Sequence, residues 1–210
     1  MTTPPARTAV IVFAKAPVAG FAKTRLIPAL GADGAATLAH RLLRHAVSAA
    51  LEAGLGPVEL CATPDATHPA FAALDASVER HLQGDGDLGA RMARAFARRL
   101  GDPPDGGLAG CLLIGTDAPG LDAAYLRAAA EALATHDAVF GPALDGGYTL
   151  VGLRRPAPEL FTDMAWSTPT VMAETRTRLA AAGLRHAELP PLPDIDEAGD
   201  LVHLPAGWAP

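Results

Sequence analysis

Thr8-Ala9-Val10-Ile11-Val12-Phe13-Ala14 runs directly into Lys15-Ala16-Pro17-Val18-Ala19-Gly20-Phe21-Ala22-Lys23-Thr24-Arg25. The first seven residues form a continuous apolar run rich in β-branched side chains, with no polar alternation. Such a run suits a strand buried on both faces, the situation of a parallel sheet covered by helices. It is too short to cross a membrane, Lys15 ends it, and no cleavage-site pattern follows.

Outward from this strand the periodicity changes repeatedly. After a loop over 15–28, residues 32–53 carry apolar positions at helical spacing, and Gly54 stops that helix. Strands are expected over 57–63 and 78–83, with a short helix over 68–74 between them. A glycine- and aspartate-rich loop, 84–87, leads into a helix over 88–100, and Asp102-Pro103-Pro104-Asp105-Gly106-Gly107 reads as a surface turn. Residues 110–115 form the most apolar strand in the chain and are expected at the sheet's centre. A helix over 122–135 has Asp122 as its N-cap. Strands over 137–141 and 148–153 flank the turn Asp145-Gly146-Gly147. A helix over 168–182 is expected with Thr168 as N-cap and Pro169 at its first position. A short strand over 185–189, a proline-rich stretch and a short helix near Asp200 and Leu201 complete the pattern. Alternating strands and helices predict an α/β fold with a mainly parallel sheet. Residues 1–7 read as a loose tail, and 8–205 as a single domain of the size one core can support.

Half of the residues are hydrophobic and 19% are charged, which excludes disorder for the bulk of the chain. The net charge of −6 argues against a nucleic acid polymer as partner, because binding one requires a basic face. A small phosphorylated ligand needs only a few local cations. The two cysteines, Cys61 and Cys111, both fall in apolar strand-like runs and read as reduced core thiols, which fits a cytoplasmic protein. No segment reads as a membrane span, and the sequence is silent on oligomeric state.

In open α/β sheets, ligands bind beyond the carboxyl ends of the strands. Five segments lie there. Lys15, Lys23 and Arg25 place three cations in an eleven-residue loop with Gly20. This is either a solvated basic loop or, as the cation density favours, a phosphate-binding one. Only Lys23-Thr24 matches a P-loop, which also requires a preceding glycine. Gly115-Thr116-Asp117-Ala118-Pro119 puts Asp117 at the end of the most buried strand. There it serves either as a turn cap or as a hard oxygen ligand for Mg²⁺ or Mn²⁺ on a phosphate. In 141–148, Asp145-Gly146-Gly147 is either a plain hairpin turn or a place where a ligand approaches backbone while Asp145 accepts from sugar hydroxyls. In 83–92, Gln83, Asp87 and Gly89 either shape a loop against a base or ribose or form an acidic turn before a helix. Asp194 and Asp196 lie on the same face of an extended segment. One of them could complete a metal site with Asp117, the alternative being an acid-rich helix start. No Ser, Cys or His arrangement suggests a covalent nucleophile.

Taken in order, segments 13–26, 83–92, 115–121, 141–153 and 166–169 resemble the nucleotide-diphospho-sugar transferase superfamily. Within it the chain looks most like the bacterial glycosyltransferase-like family formerly termed domain of unknown function 2064. The similarity spans residues 8 to about 202. The resemblance implies a three-layer α/β/α, GT-A-like fold with a mixed, mainly parallel sheet. It implies that Lys15, Lys23 and Arg25 face the donor's phosphates. It places Asp117 at the metal position and leaves the second ligand, Asp194 or Asp196, open. Asp145, Gly146, Gly147 and Tyr148 then line the acceptor or sugar side, and Asp117 and Asp145 carry catalysis. Two departures stand out. The metal position has one aspartate, Thr116-Asp117-Ala118, where glycosyltransferases of this fold have Asp-X-Asp. Glu197-Ala198-Gly199 follows Asp196 where related nucleotidyltransferases have Thr-Pro-Glu, which predicts a weaker helix cap. The expected activity is metal-dependent transfer of a sugar from a nucleotide sugar to a small-molecule acceptor. The alternatives are nucleotidyl transfer from a nucleoside triphosphate, as in 2-phospholactate guanylyltransferase-like enzymes, and a non-catalytic nucleotide-sugar-binding module.

Overall fold

The computed structural model describes residues 7–101 and 107–208. The opening run forms strand β1 (Thr8–Lys15), in which Ala9 to Val12 are fully buried. Alternate side chains enter two separate cores. Val10 and Val12 point to one face of the sheet, Ile11 and Phe13 to the other. A strand buried on both faces cannot alternate with polar residues, so the unbroken apolar run is a direct product of the layering. Each fully buried aliphatic side chain contributes about 1.5–3 kcal/mol.

One seven-stranded sheet is built from β1, β2 (Val58–Thr63), β3 (Glu79–Leu82), β4 (Gly110–Ile114), β5 (Ala138–Pro142), β6 (Tyr148–Leu153) and β7 (His186–Glu188), in the order β3-β2-β1-β4-β6-β5-β7. β1 pairs in parallel with β2 and β4, and β2 with β3. β6 runs antiparallel to both β4 and β5, and β5 is parallel to β7. β6 is therefore the single reversed strand, and β4 is central, as its composition predicts. Helices α1 (Ile27–Ala53) and α4 (Ala123–Thr135) cover one face, with the short α2 (Pro69–Ala72) near its edge. α3 (Leu88–Leu100) and α5 (Val171–Ala181) cover the other. This is the mixed, mainly parallel α/β/α arrangement that the sequence implies.

α1 is broken at Gly31, where φ is 72° and ψ 168°, so its regular part starts where the periodicity places it, at Ala32. Asp122 caps α4, accepting from the Tyr125 amide. α5 begins later than expected and without Thr168 as its cap. Its flanking residue is Thr170, with no side-chain cap bond. The cause is non-local: the Met172 amide donates to the Gly146 carbonyl, and the Thr168 hydroxyl turns back to Ala165. Arg7 belongs to the ordered fold, its carbonyl accepting from Ala109. The rest of the expected tail, and residues 102–106 of the expected turn, lie outside the described residues.

A third apolar cluster lies beside the carboxyl edge. Leu26, Ala35, Leu38 and Leu42 pack around Ile195, with Leu201, Leu204 and Trp208 against them. The C-terminal segment thus straps across the start of α1, and the packed unit extends past residue 205. Arg41 donates to the Gly207 carbonyl at 2.8 Å, and the Trp208 ring meets His45 edge-on at 5.1 Å. Cys61 and Cys111 are buried free thiols.

Candidate functional site

The loop after β1 is fixed by its own backbone. The amides of Phe21 and Ala22 both donate to the Val18 carbonyl, and Ala16 and Ala22 are buried. This turn delivers Lys23 with φ of 49°, a left-handed conformation uncommon for a side-chain-bearing residue. The Lys23 side chain is 7% exposed. Its ammonium lies 2.8 Å from Asp117 Oδ1 and donates to the Ile195 carbonyl at 2.5 Å. Asp196 Oδ1 is 3.9 Å away. The Ile195 amide in turn donates to the Asp117 carbonyl. One lysine thereby joins the first loop, the end of the central strand and the C-terminal strap.

A cleft of about 500 Å³ opens at this junction, lined among others by Lys15, Lys23, Arg25, Gln83, Asp117, Asp145 and Asp196. The three cations predicted to meet phosphates therefore do share one cleft, but their partners differ. Arg25 binds Asp196 Oδ2 at 2.7 Å, Lys23 holds Asp117, and Lys15 has no ion pair among the described residues. An adjoining cleft of about 340 Å³ is lined by Asp117, Asp145, Gly147, Tyr148, Trp166, Ser167, Asp194 and Asp196, among others. Asp117 and Asp145 stand where the two clefts meet.

Asp194 has no cation partner among the described residues. Burial, followed by the charges of Asp145 and then Asp117 and Asp200, pushes its carboxyl up to about 6. The carboxylates of Asp117, Asp194 and Asp196 share these walls without converging into a compact trio. Among the described residues, the one trio whose ligand atoms all lie within 4.8 Å is Glu59, Glu79 and His81. That group belongs to β2 and β3 and is already engaged by arginines. Arg98 and Arg99 both bind Glu59, and Arg99 also binds Glu79. Downstream of Asp196 the cap is stronger than the sequence suggests. Asp200 Oδ2 accepts from the Asp196 and Glu197 amides, which opens the 3-10 turn Ala198–His203 and leaves Asp194 and Asp196 facing the clefts.

Two of the predicted ligand-loop residues have another position. Asp87 caps α3 by accepting from Ala90 at 2.8 Å, and neither it nor Gly89 lines a described cleft. Gly89 is where α3 passes closest to Phe161 and Trp166, and any Cβ would collide with the Phe161 carbonyl. The acidic turn is held from α3, by Arg94 on the carbonyls of Gln83 and Asp85 and by Arg91 on that of Gly86. Gln83 does reach the cleft floor, yet its Nε2 bonds the Ala14 and Cys61 carbonyls across β1 and β2.

The Asp145-Gly146-Gly147 turn joins β5 to β6 as a hairpin, and Asp145 and Gly147 also line the clefts. Asp145 Oδ1 accepts from the Gly147 amide at 2.8 Å. Gly146 has φ of 94° and presses on the Pro169 carbonyl, which any Cβ would strike. It supports the turn without lining a cleft. Tyr148 packs edge-on to Trp166, and neither its hydroxyl nor the Trp166 indole nitrogen, both buried, has a hydrogen-bond partner among the described residues. Burial raises the Tyr148 pKa well above the ordinary value. Among the cleft residues that the sequence did not single out as site candidates are Phe21, Leu88, Trp166 and Ser167. Ser167 carries the only signal of strain among them, a φ of 60°, and that cannot be read from its identity.

Residues 29–168 match the model of the family described as uncharacterized protein conserved in bacteria (DUF2064), and the chain belongs to that family. A protein of Desulfovibrio desulfuricans G20, provisionally described as a nucleotide-diphospho-sugar transferase, is 32% identical to it. The superposition has a TM-score of 0.80 over 92% of this chain and 84% of that one. Rv0371c of Mycobacterium tuberculosis H37Rv, solved in complex with manganese, is 17% identical over 95% of this chain and 97% of that one, with a TM-score of 0.55. A CMP:2-keto-3-deoxy-manno-octonic acid synthetase bound to CTP is 11% identical over 94% of this chain and 96% of that one, also at 0.55. The last two likenesses concern the fold alone. No protein of curated description matches the sequence.

Proposed function

We propose that this chain is a metal-dependent transferase that takes a sugar from a nucleotide sugar and passes it to a small hydroxylated acceptor. The observation that carries the reading is the junction of Lys23, Asp117 and the Ile195 carbonyl at the mouth of the cleft beyond β1 and β4. It joins a cation to a carboxylate at the edge where α/β sheets bind ligands, which supports a phosphate site beside a metal ligand. The Desulfovibrio relative supports the nucleotide-sugar class.

Charge balance supports the metal. Lys15, Lys23 and Arg25 line the main cleft with Asp117, Asp145 and Asp196, three cations against three carboxylates. A diphosphate entering unaccompanied would add negative charge beside Asp117 and Asp145. Asp117, shared with Lys23, would hold Mg²⁺ or Mn²⁺ together with Asp194, which has no cation among the described residues, whereas Asp196 is engaged by Arg25. The bound ion would neutralise the diphosphate and make it a better leaving group. The manganese complex of Rv0371c is in keeping with such an ion.

The chain's own groups have separable tasks. Lys15, unpaired, meets non-bridging phosphate oxygens. Lys23 holds Asp117 in place and adds positive potential where charge develops on the leaving group. Asp145 keeps one oxygen on the Gly147 amide and offers the other to a sugar or acceptor hydroxyl. The acceptor oxygen bonds the anomeric carbon, the bond from that carbon to the diphosphate breaks, and the hydroxyl proton passes to Asp145.

A second reading, nucleotidyl transfer, is favoured by one observation: the strand-end segment supplies a single carboxylate, and a lysine from the first loop reaches it. A phosphorylated acceptor would then attack the α-phosphorus of a nucleoside triphosphate and release pyrophosphate. A thermal-shift panel with Mn²⁺ or Mg²⁺ separates the two. A ligand at a hundred times its Kd adds about 2.7 kcal/mol of stability. Stabilisation by nucleotide sugars and nucleoside diphosphates above triphosphates is expected. Stabilisation chiefly by a triphosphate, with pyrophosphate as product, would replace the first reading with the second. If neither class stabilises the protein, both fall. Asp117→Asn is expected to abolish turnover with the far-ultraviolet spectrum unchanged, and full activity in that variant would remove Asp117 from the mechanism.

A further inference from the structure

The most exposed aromatic ring of the cleft has no task in the chemistry above. Phe21 is 67% exposed, while Ala22 beside it is 3% exposed. The backbone at Phe21 is pinned by the two amides donating to Val18. The loop therefore fixes the backbone that carries the ring and turns the ring to solvent, at a cost in exposed apolar surface that its own packing does not offset. Leu88, 42% exposed, lines the same cleft from the start of α3. The same cleft is lined by Gln83, 7% exposed as a residue. Its two N–H bonds go to the Ala14 and Cys61 carbonyls, so only its oxygen can serve a ligand, as an acceptor. A flat apolar face, an apolar wall and an acceptor for a ring N–H form a combination that suits a heterocyclic base. A sugar hydroxyl would use the acceptor but not the aromatic face.

We infer that Phe21 is the stacking platform for the donor's nucleobase, with Leu88 beside it and Gln83 Oε1 toward the base edge. This rests on the reading that the cleft takes a nucleotide diphosphate, and it adds the residue that distinguishes a nucleotide from a bare diphosphate. Stacking tolerates every base, so the ring contributes affinity for nucleotides as a class.

Calorimetry on the full chain with Mn²⁺ present tests this, with inorganic pyrophosphate and the four common nucleoside diphosphates as probes. Wild type is expected to bind the best nucleoside diphosphate more tightly than pyrophosphate. Phe21→Ala is expected to reduce that preference about tenfold or more while leaving pyrophosphate affinity unchanged. Phe21→Trp is expected to keep or increase it. An unchanged preference in Phe21→Ala, or an equal loss of pyrophosphate binding, would overturn the inference while leaving the phosphate site standing. Failure of wild type to bind either probe would overturn the phosphate reading and the inference with it. Because the ring is exposed, Phe21→Ala is expected to fold as wild type does, and its thermal midpoint without ligand checks this.

Discussion

Lys23 combines a left-handed backbone, a nearly buried ammonium and three oxygen neighbours from two distant segments. Replacing it with alanine removes a charged hydrogen bond to the Ile195 carbonyl and leaves Asp117 without its cation. A loss of about 1–3 kcal/mol of stability is expected, read by urea unfolding. Pyrophosphate affinity should fall in the same variant. Unchanged values of both would mean that the contact holds nothing together. Gly146→Ala makes a sharper demand on the backbone. A side chain at φ of 94° costs about 1–3 kcal/mol, before the collision with the Pro169 carbonyl is added. A stability loss at or above that range is expected. At this scale the sequence was only partly legible. Asp117 could be placed because a carboxylate directly after a buried strand must lie at the sheet's edge. The tie from Lys23 to Ile195 could not, since it joins residues 172 positions apart and leaves no local pattern.

Between elements, β2 is fastened to α3 by a buried carboxylate. Glu59 is fully buried and binds both Arg98 and Arg99. Burial pushes its pKa up, but the Cys61 thiol and the two arginine charges more than offset this and hold it below the ordinary carboxylate value. A carboxyl with a lowered folded value stabilises the protein fully above its unfolded pKa, and that contribution is lost as pH falls through the folded value. Glu59→Gln should therefore cost most near neutral pH, toward the lower end of the about 3–5 kcal/mol known for broken buried pairs, because the arginines are partly solvated. The difference from wild type should shrink in acid, as urea midpoints at pH 7 and below 4 would show. A constant difference would mean that Glu59 acts by packing alone. The Cys61 thiol, raised to about 12 first by burial and then by Glu59, is expected to resist alkylation in the native state. Element types and most boundaries followed from periodicity and caps, as at α3 and β6. The start of α5 did not, because the Met172 amide finds its acceptor at Gly146, in a different element.

For the whole molecule, the clefts are walled on one side by a strap that has little secondary structure of its own. Its hold depends on Ile195, Leu201, Leu204 and Trp208 packing on the first turns of α1. Trp208→Ala is expected to cost about 2 kcal/mol, less than the about 3–5 of a fully buried tryptophan. Under the proposed role of Asp194 as a metal ligand, Mn²⁺ affinity should fall as well, because the same segment carries that residue. A variant with lowered stability and unaltered Mn²⁺ affinity would separate the strap's anchoring from the site. Among the described residues, no helix is long and apolar enough to cross a membrane.

That strap also has a consequence for how the protein is born. Chains emerge from the ribosome N-terminus first, at about 5–20 residues per second. β1, its loop and the central strand with Asp117 are available early, and their hydrophobic faces can begin to collapse. Until Ile195 arrives, Lys23 lacks its carbonyl partner, Asp194 and Asp196 are still to be translated, and the apolar cluster on α1 stays uncovered. The nascent chain is thus expected to carry most of the sheet with no working centre, and premature termination within the strap should yield an inactive, sticky species and no weakened enzyme.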